Sequence, residues 1–148
     1  MDKLYIPGDL VMTNGAPLGT EQDVVYRVTS SDPSKTLRLG DGTTLKGVVR
    51  LENYGAKELG DKGYLLVECD AWVKDIVPIP LTTEIFEKNR WEKDDCDNYM
   101  ITSYMYIRKS QGHGKYFPIY ICDTYMTQVR YVYELQHILL PLMIIMGV

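Results

Sequence analysis

Turn-forming residues break the N-terminal half of the chain into runs too short for helices, and this punctuation constrains the fold more than any other feature of the sequence. Asp9-Leu10-Val11-Met12 lies between Pro7-Gly8 and Asn14-Gly15, where Asn and Gly accept the positive φ of a tight turn. Val24 to Val28 is β-branched and aromatic, as a strand requires, and Ser30 to Ser34 supplies a polar turn. Leu37-Arg38-Leu39 alternates, Gly40-Asp41-Gly42 reverses the chain, and Leu45 to Leu51 is a further apolar run. A glycine-containing excursion from Asn53 to Lys62 leads to Tyr64-Leu65-Leu66-Val67, and Ala71 to Val77 ends against Pro78. Five or six short strands with no helical period between them predict a mainly β unit, an SH3-like small β-barrel, over residues 1–78.

Residues 79–148 have a different rhythm and read as a small α+β unit, helix–two-strand–helix, packed on the barrel. Pro78-Ile79-Pro80-Leu81 is an extended connector, because each proline disfavours helix in the residue before it. Thr82 is placed to cap a helix from Thr83 to about Asn89, with Glu84 near the positive end of its dipole and Ile85 and Phe86 facing inward. Trp91 to Asn98 reads as a charged loop. Two strands follow, Tyr99 to Arg108 and Tyr116 to Cys122, joined by Ser110-Gln111-Gly112-His113-Gly114. A last helix is expected to start near Thr127 and to run through Val129, Val132, Leu135, Gln136 and Leu139 until Pro141 ends or kinks it.

Bulk properties narrow the function classes. The net charge of −4 divides into 9 basic against 12 acidic residues before residue 81 and 7 against 8 after it, so neither half is a basic patch suited to phosphate backbones. Cys69, Cys96 and Cys122 are odd in number and widely spaced, which argues against a disulfide framework or a zinc knuckle and for reduced, mostly buried thiols. The start MDKLYIPGDLV lacks the pattern of a signal peptide, and Ile138 to Val148 is about half a membrane span interrupted by Pro141. A cytoplasmic protein with no membrane contact is the expectation, with the apolar C-terminal tail serving as core or as a surface for homo-oligomers.

Two segments carry a resemblance. Asp75-Ile76-Val77-Pro78-Ile79-Pro80-Leu81-Thr82-Thr83-Glu84-Ile85-Phe86-Glu87-Lys88-Asn89 resembles an EPIPLTPEILEKNGF signature, and Tyr131-Val132-Tyr133-Glu134-Leu135-Gln136-His137 resembles YVHELQH. Together they resemble a family of small proteins of gut Bacteroidetes found in prophage and mobile-element surroundings, whose IGNWV opening is similar to Ile6 to Val11. Arg90 stands where the family has glycine, Tyr133 where it has its first histidine, and the ending from Pro141 is more apolar than the family's tail. The resemblance implies a gene context and a fold, and no reaction.

Catalytic motifs are incomplete. HExxH sets two imidazoles on one helical face, but Tyr133-Glu134-Leu135-Gln136-His137 has one, and Tyr133 and His137 read as a packed pair one turn apart. Gly112-His113-Gly114-Lys115 opens into Tyr116-Phe117 rather than a helix, so it is a turn and not a phosphate cradle. Asp94, Asp95 and Asp97 lack an EF-hand register and read as a solvated loop. No serine sits in a nucleophile elbow, and Cys122 with His137 is the one thiol–imidazole pair to weigh. No catalytic residue, metal or cofactor is expected.

Tyrosine is the informative residue, with 12 against 2 phenylalanines. Strand alternation sets Tyr104, Tyr106 and Arg108 on one face with Met105 and Ile107 on the other. Next door, Tyr116, Pro118 and Tyr120 share a face opposite Phe117, Ile119 and Ile121. Amphipathic rings at a surface suit a protein interface, base stacking or plain cross-strand packing. The reading is a non-enzymatic binding protein of phage or mobile-element type that contacts a host or phage protein. The alternatives are a counter-defence protein sequestering a nucleotide or nucleic acid, with Arg108, Lys115 and Arg130 lining a pocket beside Tyr104 or Tyr120, and an undetected hydrolase.

Overall fold

A computed structural model describes residues 4–14, 24–54, 69–109 and 115–148, and the chain divides into two compact units, Met1–Ile79 and Pro80–Val148. Among the described residues each unit is built around an antiparallel five-stranded sheet, so the protein is mainly β.

In the first unit the strands are β1 (Leu10–Thr13), β2 (Tyr26–Arg38), β3 (Thr44–Asn53), β4 (Cys69–Trp72) and β5 (Ile76–Pro78), in the order β4-β3-β2-β1-β5. Leu10, Val11, Tyr26, Val28, Val49 and Leu51 are buried from adjacent strands and form its core. The Gly40–Gly42 reversal is a tight hairpin in which the Gly42 amide donates to the Leu39 carbonyl at 3.0 Å, with Gly42 at φ 91°.

Two expectations here need correction. Ser30 to Ser34 is not a turn: β2 runs through it, and its ladder to β3 shifts between Asp32 and Thr36. Asp32 faces Val48 and Thr36 faces Lys46, so residues 33–35 oppose Gly47 alone in a wide bulge. Pro33 is tolerated where no ladder bond is made, and the Asp32 carboxylate takes the Ser34 amide and hydroxyl at 3.2 and 2.8 Å. The turn chemistry of Asp-Pro-Ser is thus absorbed into a long strand because β3 offers pairing on both sides of it.

Ala71 to Val77 is likewise not one strand. A 3₁₀ turn at Val73–Asp75 separates β4, which pairs with β3, from β5, which pairs with β1 on the far edge. Asn14 holds this turn, donating its amide to the Asp75 carbonyl at 3.0 Å and its side chain to the buried Asp75 carboxylate at 2.9 Å. Four inter-strand spacings of about 4.8 Å would set β4 and β5 roughly 19 Å apart in a flat sheet, more than the short 3₁₀ link can span. The sheet is therefore strongly curled. No ladder joins β4 to β5 among the described residues, so the expected closed barrel is not observed.

In the second unit Thr82 caps α1 (Thr83–Lys88), its hydroxyl accepting from the Ile85 amide at 3.4 Å. The sheet consists of β6 (Glu92–Lys93), β7 (Asn98–Met100), β8 (Met105–Arg108), β9 (Phe117–Ile121) and β10 (Thr124–Val129) in the order β10-β9-β8-β7-β6. Phe86 is fully buried and meets Tyr99 and Phe117 with ring centroids 5.1 and 5.2 Å apart, tying α1 to the sheet.

This sheet replaces the two strands expected from sequence. The run Tyr99 to Arg108 folds back on itself, because the Thr102 hydroxyl accepts from the Tyr104 and Met105 amides and closes a turn between β7 and β8. Thr127 lies in a strand, not a helix. Cys122 and Asp123, at φ 50° and 62°, make a two-residue hairpin that returns β10 along β9. The helix α2 (Val132–Leu139) begins later because Glu134 reaches back to accept the Arg130 and Tyr131 amides at 3.0 and 2.9 Å. Val132, Leu135 and Leu139 are buried as the amphipathic spacing requires. Beyond α2 a 3₁₀ turn (Leu140–Leu142) contains Pro141, and Met143 adopts φ 59°.

No helix among the described residues is long and apolar enough to cross a membrane. The strand expected at Tyr64–Val67 and the turn at Ser110–Gly114 lie outside the described residues.

Candidate functional site

A cleft of about 470 Å³ opens on the second unit's sheet, over β7 and β8 and between two turns. Ladder register explains what faces it. Asn98 pairs with Arg108 and Met100 with Tyr106, so these four side chains share one face, while Tyr99, Met105 and Ile107 are buried on the other. One end is closed by the Asp94–Asn98 turn and the other by the Cys122-Asp123 hairpin, whose Cys122 amide donates to the Tyr104 carbonyl at 2.8 Å.

The floor is an ordered polar and aromatic layer. Arg108 donates through Nε to Asn98 Oδ1 at 3.1 Å and through Nη1 to the Tyr120 hydroxyl at 3.3 Å, and its guanidinium lies 4.5 Å from the Tyr120 ring centre. Tyr120 in turn stacks on Tyr106 at 5.2 Å and 11°. The Tyr106 hydroxyl donates to Asp123 Oδ1 at 3.1 Å. Burial, and next this bond, push the Tyr106 phenol above its ordinary pKa. At the other end Asp94 accepts from the Asn98 and Cys96 amides and from the Asn98 side chain, at 2.9, 2.8 and 3.2 Å. The Asn98 amide, followed by the other donors and the Arg108 charge, holds the Asp94 carboxyl below its ordinary value.

The residues singled out by alternation fall into two groups. Tyr104, Tyr106 and Arg108 line the cleft with Tyr120 beneath Arg108, but Tyr106 is only 8% exposed and contributes an anchored hydroxyl rather than an open ring. Its ring is covered because it stacks on Tyr120. Tyr104 sits in the turn, not the strand, and is 48% exposed. Tyr116 and Arg130 form a separate cluster, with the Arg130 guanidinium 5.8 Å from the Tyr116 ring and 5.1 Å from that of Tyr131. Lys115 is exposed and lines neither group. The convergence of Arg108, Lys115 and Arg130 on one pocket is therefore not observed.

Sequence reasoning missed Asp94, Asn98, Ser103 and Asp123. The Asp-x-Cys-x-Asn spacing at 94–98 carried the signal of an Asx turn, whereas Asp123 is identified only once the hairpin is known. The thiols also differ from expectation: Cys96 and Cys122 are exposed at opposite ends of the cleft because both lie in turns. Cys69 is half-buried, and burial with the Asp70 charge raises its pKa. Tyr133 and His137 meet edge to face at 5.5 Å. Among the described residues no group of three His, Cys, Asp or Glu side chains is arranged to hold a metal ion.

No protein-family model matches this chain, and neither a curated protein nor a solved structure gives a significant match.

Proposed function

We propose that this chain is a non-enzymatic binding protein whose cleft over β7 and β8 contacts a partner protein. The observation that carries the reading is the Arg108–Tyr120–Tyr106–Asp123 relay, in which each polar group is oriented by its neighbour and two charged ends still face the cleft. Preorganised aromatic and arginine side chains are what protein interfaces concentrate at their energetic centres. A nucleotide or nucleic acid is the poorer fit. The cleft has one guanidinium against two carboxylates, Asp94 and Asp123, and a phosphate would meet net negative charge.

A phage or mobile-element setting rests on the resemblance of the 75–89 and 131–137 segments. An SH3-like assignment of the first unit is supported by its strand order, with β5 returning beside β1 after a 3₁₀ turn. Homo-oligomer formation through the tail is supported by Met143 and Ile145, which are 90% and 94% exposed although Met146 beside them is buried.

The test is affinity capture from the native host with wild-type protein beside Tyr104→Ala and Arg108→Ala. The partner is expected to be a protein whose recovery drops with both substitutions. Recovery that ignores both, or a panel of nucleotides that raises the melting temperature of the pure protein, would overturn the reading.

A further inference from the structure

The two ends of the cleft differ in charge, and their separation suits a particular ligand. Arg108 has Nε and Nη1 committed to Asn98 and Tyr120, which leaves the Nη2 edge without a partner among the described residues. Asp123 uses Oδ1 for the Tyr106 hydroxyl and keeps Oδ2. Asp94 is different: it keeps its charge, but both its oxygens already accept local donors, so neither is open to a ligand group. The cleft therefore presents one free cationic edge and one free anionic oxygen.

Ladder register gives their spacing. Ile107 pairs with Ile119 and Met105 with Ile121, and Asp123 lies in the hairpin just beyond. Arg108 lies three residues, about 10 Å at roughly 3.3 Å per residue, from the Met105–Ile121 pair, and the Asp123 backbone lies about one residue further. Between them the exposed Tyr104 ring and the half-buried Met100 give apolar walls, and the Ser103 hydroxyl is exposed beside Tyr104. A small anion would use only the Arg108 end and a simple amine only the Asp123 end. An extended polypeptide uses both, since side chains at alternate positions lie on one face about 7 Å apart at their roots and reach further at their tips.

We infer that the cleft recognises an extended polypeptide segment carrying an acidic side chain at the Arg108 end and a basic side chain two or four positions away at the Asp123 end. This deepens the partner-protein reading and rests on it. The guanidinium, held over the Tyr120 ring, takes a carboxylate, and the Asp123 carboxylate takes an ammonium or guanidinium while Tyr104 packs on its aliphatic stem.

A positional-scanning library of short labelled peptides, read by fluorescence polarisation with the full chain, tests it. Peptides with one acidic and one basic residue at alternate positions are expected to bind at least about tenfold more tightly than those carrying either charge alone. Asp123→Lys, at an exposed turn and checked for an unchanged circular dichroism spectrum, is expected to exchange that preference for two acidic residues. Arg108→Glu is expected to shift it to two basic residues. Charge-independent binding, no binding by any peptide in the library, or an unchanged preference in Asp123→Lys would overturn the inference. If captured partner still depends on Tyr104 when the library fails, the specificity falls and the partner-protein reading survives; if that dependence is also missing, both fall.

Discussion

Replacing Asn89 by alanine removes the two hydrogen bonds that fix the C-terminal segment to the end of α1. The Asn89 side chain donates to the Gly147 carbonyl and accepts from the Gly147 amide, each at 2.8 Å, and its other amide hydrogen caps the Ile85 carbonyl at 2.8 Å. A net value of about 1 kcal/mol for each bond to Gly147 gives a local loss of about 2 kcal/mol, or roughly thirtyfold in the opening equilibrium of residues 143–148. Burial of Met146 and the bond from the Ile144 amide to the Leu139 carbonyl remain, so the segment loosens without being released. The loss is confined to this end of the unit, and the global melting temperature should move little. Hydrogen exchange of the Gly147 amide measures the effect directly, and Asn89→Asp, whose carboxylate would face the Ile85 and Gly147 carbonyl oxygens, should not restore the protection. Gly147 protection that stays within about threefold of wild type would refute this account of how the tail is held.

Gly47→Ala should destabilise the first unit by about 2–4 kcal/mol in urea titrations, because the residue adopts φ 86° and its new Cβ would lie 2.8 Å from Val73 Cγ2, on a β-branched side chain that cannot swing away. A loss below about 0.5 kcal/mol would show that the β3 position opposite the β2 bulge tolerates a side chain. Asp94 has a lowered folded-state pKa, so its contribution to the 94–98 turn is complete above the ordinary carboxylate value and is lost as pH falls through the lower folded one. The Asn98 amide resonance should therefore titrate with a midpoint below the ordinary Asp value and stop titrating in Asp94→Asn; a midpoint at or above it refutes the cap. Met143→Ser with Ile145→Ser should shift sedimentation toward monomer if the tail joins two copies, and an unchanged profile removes the tail from any assembly.

Local chemistry made much of the fold legible. Thr82 caps α1, Gly40-Asp41-Gly42 reverses the chain, and Val132, Leu135 and Leu139 are the inward stripe of α2, since each depends on neighbours within a turn or two. The strand boundaries were not legible. Asp32-Pro33-Ser34 has turn chemistry yet lies inside a paired strand, and Thr127 to Val129 has helical spacing yet lies on β10, because in both places the neighbouring strand of a hairpin supplied the hydrogen bonds.

The candidate site divides in the same way. Alternation by itself brought Tyr104, Tyr106 and Arg108 to one face, and composition by itself showed that neither half of the chain carries an excess of basic residues. Only the tertiary structure decided that Tyr106 is covered by Tyr120, that Lys115 and Arg130 lie elsewhere, and that Asp123 closes the far end of the cleft. The physical reason is range. A side chain's face follows from the backbone on either side of it, whereas the company it keeps follows from which strands pair and in what register, and those bonds are formed between residues that the sequence leaves far apart.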